Sequence, residues 1–211
     1  MIDGRLVRGE RTRQAVLDHA VALASVEGLE GMSLARLAQG LGVSKSGLFS
    51  HWPDKQALQL AVIEHARLQW IEEIVRPALR EPRGLRRLWA LHANRMEFYE
   101  RRALPGGCFF ANVEPEVNDH PGPVRDAIAA AKHDWVTLLT TLITQSAELG
   151  ELRPGTDADQ LAFEIQALGA AVITHTLVHH QEPSFRFARR AVLDRLRALA
   201  TDPSVLPEAT P

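Results

Sequence analysis

Residues 33–52 read SLARLAQGLGVSKSGLFSHW and predict two short helices joined by a tight turn. Ser33 is a good N-cap for the first helix, Gly42 supplies the turn, and Ser44 caps the second helix. The apolar side chains of the first helix recur at three- and four-residue spacing, at Leu34, Leu37, Ala38 and Leu41. This helix-turn-helix pattern, with small, polar or cationic residues at its exposed positions, indicates DNA binding.

Composition sets the outer bounds of the protein. With 211 residues, 45% of them hydrophobic, the chain can bury a sizeable core as one domain, or as a small domain attached to a larger one. The net charge of −2 is unevenly distributed, because residues 1–56 carry +1 and residues 57–211 carry −3. This asymmetry permits a DNA-binding N-terminal part but would not suggest one on its own.

Several classes of protein are excluded by what the sequence lacks. It has no run of about 18 apolar residues and no signal-peptide pattern, so we expect no membrane partner and a cytoplasmic location. A single cysteine, Cys108, excludes an intramolecular disulfide and a thiolate zinc site. Because a Gly-rich phosphate loop, a nucleophile elbow and a His-Glu-x-x-His pattern are all missing, we expect no enzyme, no catalytic residue and no cofactor.

Helical periodicity recurs along the chain, and strand signals are nearly absent. Gly28 follows the first apolar series, where a helix C-terminus commonly has a left-handed residue. Pro53-Asp54 begins a helix that is expected to run to Val75. We therefore predict an all-α fold of about nine helices. Its parts are a flexible arm at 1–9, a helix-turn-helix domain at 10–56, a larger helical domain at 57–201 and a disordered tail at 202–211.

Three segments resemble the TetR family of transcriptional regulators: SLARLA at 33–38, LGVS at 41–44 and GLFSHWPDKQAL at 47–58. The resemblance extends over about a quarter of the chain, namely the three-helix region and the start of the next helix. Trp52-Pro53-Asp54-Lys55 after a very short second helix narrows the resemblance beyond a general helix-turn-helix. The resemblance implies an N-terminal three-helix domain that binds a double-stranded DNA operator and a larger domain that binds a small molecule and dimerises. The family commonly has Tyr where this chain has Phe49, so Phe49 is interpreted as packing.

Physical reasons favour DNA contact for particular side chains. Small residues let the second helix approach the major groove closely, and Lys45 has the longest reach. Lys55 lies beside the free backbone N–H groups of a helix start and therefore suits one phosphate. The alternatives are that the capping serines serve the helices alone and that His51 packs beside Trp52. The candidate DNA-binding residues are Ser33, Arg36, Ser44, Lys45, Ser46, Gly47, Ser50, His51 and Lys55.

A homodimer is expected because one helix-turn-helix reads only a short half-site, whereas two-fold symmetric proteins place two recognition helices about 34 Å apart. The last two long helices carry apolar stripes, and the TetR resemblance implies that such helices form a four-helix dimer interface. The candidate interface residues are Leu161, Ile165, Leu168, Val172, His175, Ala191, Val192 and Leu196.

The TetR resemblance also implies a ligand pocket among the fourth to seventh helices. The fifth predicted helix, Leu85 to Arg102, carries a mixed aromatic and polar stripe. We therefore expect an apolar or aromatic small molecule. The alternative is that the aromatic stripe only builds core. The candidate ligand-binding residues are Trp89, His92, Met96, Tyr99, Cys108, Phe109, His133, Val136 and Thr140.

Two side-chain groups leave alternatives open. Cys108 follows two glycines at an expected helix start, where free N–H groups favour a thiolate that can sense an oxidant or electrophile. Otherwise it is a small buried apolar side chain. His175 and His179 lie four residues apart with His180 adjacent, a spacing that can bind a metal. Two imidazoles without a third ligand define no site, so we predict no bound metal.

Together these patterns predict a homodimeric repressor that binds a palindromic operator and is released by a small-molecule effector. A transcriptional activator and a redox-sensing or electrophile-sensing regulator acting through Cys108 are the alternatives. A DNA-binding architectural protein without a ligand would leave the large helical body unexplained.

Overall fold

The computed structural model describes residues 4–42, 51–117, 120–177 and 183–208. A π-helix at Ile71–Val75 and a helical turn at Arg76–Ala78 continue the α-helix Lys55–Trp70, and a 3-10 helix spans Pro203–Val205. No β-strand occurs in these ranges, where an isolated bridge joins Leu152 and Ala200. The all-α prediction is confirmed. Within the described residues, the eight longer α-helices are α1 (Gly4–Gly31), α2 (Leu34–Leu41), α3 (Lys55–Trp70), α4 (Leu85–Glu100), α5 (Phe109–Val117), α6 (Pro123–Glu148), α7 (Ala158–Leu177) and α8 (Pro183–Leu199).

Helices α2 and α3 begin at the caps that the sequence predicts. Ser33 Oγ accepts the backbone N–H of Arg36 at 3.2 Å, and α2 ends at Gly42, whose φ is 64°. Asp54 Oδ1 accepts the backbone N–H of Ala57 at 2.7 Å. In both cases a short polar side chain satisfies an N–H group that the first helical turn leaves open.

Three segment boundaries differ from the predictions. Helix α1 already begins at Gly4, within the segment 1–9 expected to be a flexible arm, because helix-favouring Arg5, Leu6 and Arg8 outweigh the two glycines of that segment. The helix expected to run to Val75 becomes π-helical after Trp70. In the tail expected to be disordered, Asp202 caps the 3-10 helix and Leu206 is buried.

The described helices group into two compact units. Unit 1 comprises Met1–Gln69 and Leu104–Ala130, and unit 2 comprises Trp70–Ala103 and Ala131–Pro211. Helices α3 and α5 belong to unit 1 because both pack against α1: His65 of α3 bonds Asp18 of α1 at 2.7 Å, and α5 lies along α1. Sequence periodicity could not show this, because it reports a buried face but not its partner.

Each unit has its own apolar core. That of unit 1 includes Val16, Leu17, Ala20, Val21, Leu37, Leu58, Val62, Phe109 and Val113. In unit 2, α8 packs against α4 and α7. The core of unit 2 includes Leu88, Leu91, Leu139, Leu142, Leu161, Ile165, Val192 and Leu196. Across the described helices, none is long and apolar enough to cross a membrane.

Candidate functional site

Helix α1 is kinked at Gly28, and its last residues, 28–31, lead into α2. We call residues 28–31 the α1–α2 turn, and this turn depends on a glycine and a distant carboxylate. Gly28 breaks α1 with a φ of 75° and a ψ of 173°, a region essentially restricted to glycine. The Glu116 carboxylate of α5 accepts the backbone N–H groups of Leu29 and Glu30 at 2.9 and 3.1 Å. A Cβ at position 28 would lie 1.3 Å from Glu116 Oε1, so this approach also requires glycine.

Helix α3 holds the carbonyl side of the same α1–α2 turn. Gln59 Nε2 donates to Leu29 O at 3.2 Å, and Lys55 Nζ donates to Glu30 O at 3.1 Å. Hydrogen bonds from Lys55 and Gln59 also lower the pKa of the Glu30 carboxyl. The chain that enters α2 is therefore fixed by α5 through its N–H groups and by α3 through its carbonyl groups.

Two of the predicted DNA-contacting cations flank the α1–α2 turn. The side chain of Arg36 is 60% exposed and pairs with Glu27, and that of Lys55 is 45% exposed and pairs with Glu30 at 3.2 Å. Exposed ion pairs contribute only about 0–1 kcal/mol. A DNA phosphate can therefore replace either glutamate at little cost.

The segment expected to read bases is followed directly by His51 and Trp52. Of its neighbours, His51 lies with its ring centroid 5.5 Å from that of the buried Trp52. His51 thus makes the packing contact that the sequence analysis set against DNA contact. The remaining candidates lie outside the described residues, namely Ser44, Lys45, Ser46, Gly47 and Ser50.

The nine candidate ligand-binding residues do not form a single group within either unit. Helix α4 of unit 2 carries Trp89, His92, Met96 and Tyr99, of which the last three are buried. The start of α5 in unit 1 carries the buried Cys108 and Phe109. An open groove on α6 of unit 2 is lined by His133, Val136 and Thr140. Aromatic spacing alone did not separate core, surface and site.

The most unusual polar group in unit 2 is Arg95 of α4, which is only 3% exposed. Its Cζ lies 5.3 Å from the ring centroid of Trp135, 5.6 Å from that of Tyr99 and 5.8 Å from that of Trp70. Nε donates to the Tyr99 hydroxyl at 2.9 Å, and Nη1 donates to Gln166 Oε1 at 3.0 Å. Among the described residues, no carboxylate forms an ion pair with this guanidinium. We call Arg95 and these four partners the arginine box.

Sequence reasoning missed the arginine box, although one signal was present. Arg95 lies three residues after His92 and four before Tyr99, on the helix face that the aromatic stripe predicts to be buried. A charged residue is rarely buried without a partner. Trp70, Trp135 and Gln166 gave no such signal, because they come from three separate parts of the chain.

His92 is a second buried polar group on α4. Its Nε2 donates to Ala188 O at 3.2 Å, and its Nδ1 has no hydrogen-bond partner within the described ranges. Burial, together with the positive charge of Arg95, lowers the pKa of His92 to about 3. The imidazole is therefore neutral near pH 7 and provides no counter-charge for Arg95.

Most residues of the predicted dimer stripe are already buried within one chain. Leu161, Ile165, Val172, Val192 and Leu196 are each at most 3% exposed, because α7 and α8 turn these faces toward their own unit. Leu168 and Ala191 are half-buried and His175 is exposed. The large apolar side chains that these helices expose are Phe163, at 68%, and Phe187, at 59%.

The two remaining candidate groups are Cys108 and the three histidines His175, His179 and His180. Cys108 is 3% exposed, which restricts the access of an oxidant to its sulfur and agrees with the packing interpretation. His175 lies near the end of α7, whereas His179 and His180 lie outside the described residues. In the part of the chain that the structure covers, no cluster of three His, Cys, Asp or Glu side chains is arranged to hold a metal.

Two protein-family models match this chain. The model of the tetracyclin repressor-like C-terminal domain matches residues 84–192, more than half of the chain. The model of the bacterial regulatory proteins of the tetR family matches residues 16–62. The nucleoid occlusion factor SlmA of Haemophilus influenzae is 30% identical over 105 residues, which are 50% of this chain and 47% of that protein. The chain thus spans about half the length of the curated relatives it matches.

Solved structures share the fold over most of the chain. A TetR transcriptional regulator from Chloroflexus aurantiacus has a TM-score of 0.83 and 25% identity, covering 92% of this chain and 98% of that one. AibR in complex with isovaleryl coenzyme A and operator DNA has a TM-score of 0.63 and 22% identity, covering 76% and 84%. The chain belongs to the TetR family of bacterial transcriptional regulators.

Proposed function

We propose that this DNA-binding regulator, which is not an enzyme, is a homodimeric repressor that binds a palindromic operator in the cytoplasm and is released by a small-molecule effector. The observation that carries the proposal is the α1–α2 turn. It places Arg36 and Lys55 on the surface at the entry to the helix-turn-helix while α3 and α5 fix its backbone. A rigid entry with exposed cations suits an element that must fit the spacing of DNA phosphates.

The exposed apolar side chains of the last two helices support the dimer. Phe163 lies on α7 and Phe187 on α8, and more than half of each side chain is exposed in the single chain. Burying such rings against a second copy removes apolar surface from water. We therefore place the interface on the outer faces of α7 and α8 and not on their buried stripes.

Effector release is supported by family likeness and by thermodynamics. AibR has been solved with both a small molecule and operator DNA. Here a ligand in unit 2 lowers DNA affinity only if it binds the DNA-incompetent arrangement better than the competent one. Helix α3 begins at Lys55 in unit 1 and ends at Trp70, the first residue of unit 2. It is therefore the part of the chain through which we expect the change to act.

The test is selection of bound sequences from a random DNA pool with full-length protein, refolded from denaturant to remove any co-purified ligand. We expect enrichment of a palindrome, with binding weakened by Lys45→Ala and by Lys55→Ala. Lys132→Ala is the matched control, since Lys132 is the only other lysine and lies in unit 2. Absence of enrichment at low salt, or equal effects of all three changes, would contradict the proposal.

A further inference from the structure

We propose that the arginine box is the effector site and that its ligand is an aromatic organic acid whose carboxylate binds Arg95. This inference rests on the proposed function, which requires an effector but does not specify its chemistry.

The positive charge of the buried Arg95 requires compensation. Arginine stays protonated in proteins, and taking a cation out of water is costly unless an anion compensates it. Arg95 is 3% exposed, and among the described residues its charge is compensated by the faces of three rings and two neutral oxygens. The carboxylates at the ends of α4 and α7 are engaged elsewhere, because Glu100 pairs with Arg189 and Glu164 pairs with Arg195.

Among the described residues, the Arg95 guanidinium also has N–H donors to spare. A guanidinium has five N–H donors, and the bonds to Tyr99 and Gln166 use two of them. The donors left over are one N–H on Nη1 and both on Nη2. These two nitrogens form the edge of the guanidinium that binds a carboxylate through two parallel hydrogen bonds.

A glycine on the neighbouring helix α7 leaves room for the charged group. Gly169 of α7 faces Arg95, and a Cβ there would lie 2.3 Å from Nη1 and 2.7 Å from Cζ. Any larger residue would displace the guanidinium from the box. Gln166, one turn earlier on α7, accepts from both Arg95 Nη1 and Trp135 Nε1. Its amide therefore positions the cation and one aromatic wall together without neutralising the charge.

The walls of the box specify the rest of the ligand. Trp70, Tyr99 and Trp135 surround the guanidinium, and the rings of Trp70 and Trp135 meet edge to face with centroids 5.3 Å apart. These two rings already pack against each other, and an aromatic ring next to the carboxylate would replace that contact with one of its own once a wall moves. Entry requires one wall to move. Trp70 is the wall that leads directly into the π-helix at Ile71–Val75, a type of segment that often occurs at functional sites.

The rival interpretation is that Arg95 only cross-links the core through its ring contacts. The two interpretations differ for a pair of ligands of the same shape, 1-naphthoate and neutral 1-naphthamide. Affinities are measured on the full-length protein by isothermal titration calorimetry, with tryptophan fluorescence reporting on Trp70 and Trp135. We expect naphthoate to bind about tenfold more tightly than naphthamide, or more, because only the acid forms charged hydrogen bonds.

Two variants assign that preference to Arg95. Arg95→Met keeps the length of the side chain and should abolish the preference for the acid. Gln166→Glu keeps an acceptor for Trp135 and Arg95 but adds the missing counter-charge. It should fold at least as stably as the wild type and weaken naphthoate binding about tenfold or more, with naphthamide binding unchanged. Because Gln166→Glu fills the charge deficit, it tests the inference even if Arg95→Met fails to fold.

The outcomes separate this inference from the proposed function. Equal affinity for acid and amide, no binding of either, or a Gln166→Glu variant that binds naphthoate as well as the wild type overturns the arginine box as the acid site. If a neutral ligand instead releases the operator, the proposed function stands without it. If naphthoate binds through Arg95 but leaves operator affinity unchanged, the acid site stands and its role as effector site is overturned.

Discussion

Replacing Glu116 tests whether the α1–α2 turn is held from α5. Its carboxylate accepts two backbone N–H groups, at 2.9 Å from Leu29 N and 3.1 Å from Glu30 N. Losing a capping side chain costs about 0.5–2 kcal/mol, and charged hydrogen bonds lie at the upper end of such values. We expect Glu116→Ala to lower the free energy of unfolding by about 2 kcal/mol. Glu116→Gln, which keeps an acceptor oxygen, should lower it by about 1 kcal/mol.

Gly28→Ala makes the same contact measurable as a coupling energy. The backbone at residue 28 is unfavourable for alanine by about 1–3 kcal/mol. The new Cβ would also lie 1.3 Å from Glu116 Oε1 and expel the carboxylate. In wild type, alanine therefore incurs both penalties, whereas in Glu116→Ala it incurs only the first. The cycle should show a coupling of about 2 kcal/mol between the two sites.

Urea denaturation gives the four stabilities, and hydrogen exchange at Leu29 and Glu30 gives the local effect. Glu116→Ala should accelerate exchange at these two amides more than elsewhere in α1, because they lose their acceptor. Operator binding should weaken together with this local protection. Additive stabilities in the cycle, or unchanged exchange at both amides, would refute the reasoning, since neither is compatible with a carboxylate that caps this turn.

Three further predictions concern other parts of the chain. Lys55→Ala should reduce the salt dependence of operator binding by about two phosphate contacts per dimer, measured as the slope of log affinity against log salt, and Lys132→Ala should leave it unchanged. His92 has a pKa of about 3 when folded and 6.5 as its ordinary value. Only the unfolded state binds its proton between these values, so stability falls as pH drops below 6.5. From pH 7 to 5 the loss is about 2 kcal/mol, and urea denaturation should show it in wild type but not in His92→Gln. Phe163→Glu should yield monomers by light scattering, whereas Val26→Glu, at an equally exposed apolar site in unit 1, should not.

The sequence was sufficient where structure is local. Ser33 and Asp54 cap their helices as predicted because a cap depends on residues within three positions of it. Gly28 was correctly predicted to interrupt the first helix, but the sequence did not indicate what it contacts there. The partner that requires glycine there is Glu116, 88 residues later, and no local pattern links the two.

The sequence was insufficient where a site is assembled from distant elements. Tyr99 was singled out for its spacing along α4, yet its hydroxyl bonds Arg95, which the stripe analysis passed over as a charged residue. Five of the eight predicted dimer residues are buried within one chain for a related reason. An apolar stripe predicts burial, and Leu161 and Leu196 are buried, but periodicity cannot distinguish a partner helix in the same chain from one in a second copy.

Helix α3 contains both Trp70 of the arginine box and Lys55, which contacts the α1–α2 turn. An effector that shifts a regulator from 1% to 99% released must favour the released arrangement by a factor of about 10⁴. The arginine box supplies a physical source for such a preference, because a carboxylate gains its charged hydrogen bonds only when a wall has opened. Trp70 is both a wall of the box and the last residue of α3, whose first residue, Lys55, bonds the α1–α2 turn. The 16 residues of α3 span about 24 Å, and we propose that the response to the effector reaches the helix-turn-helix through this helix.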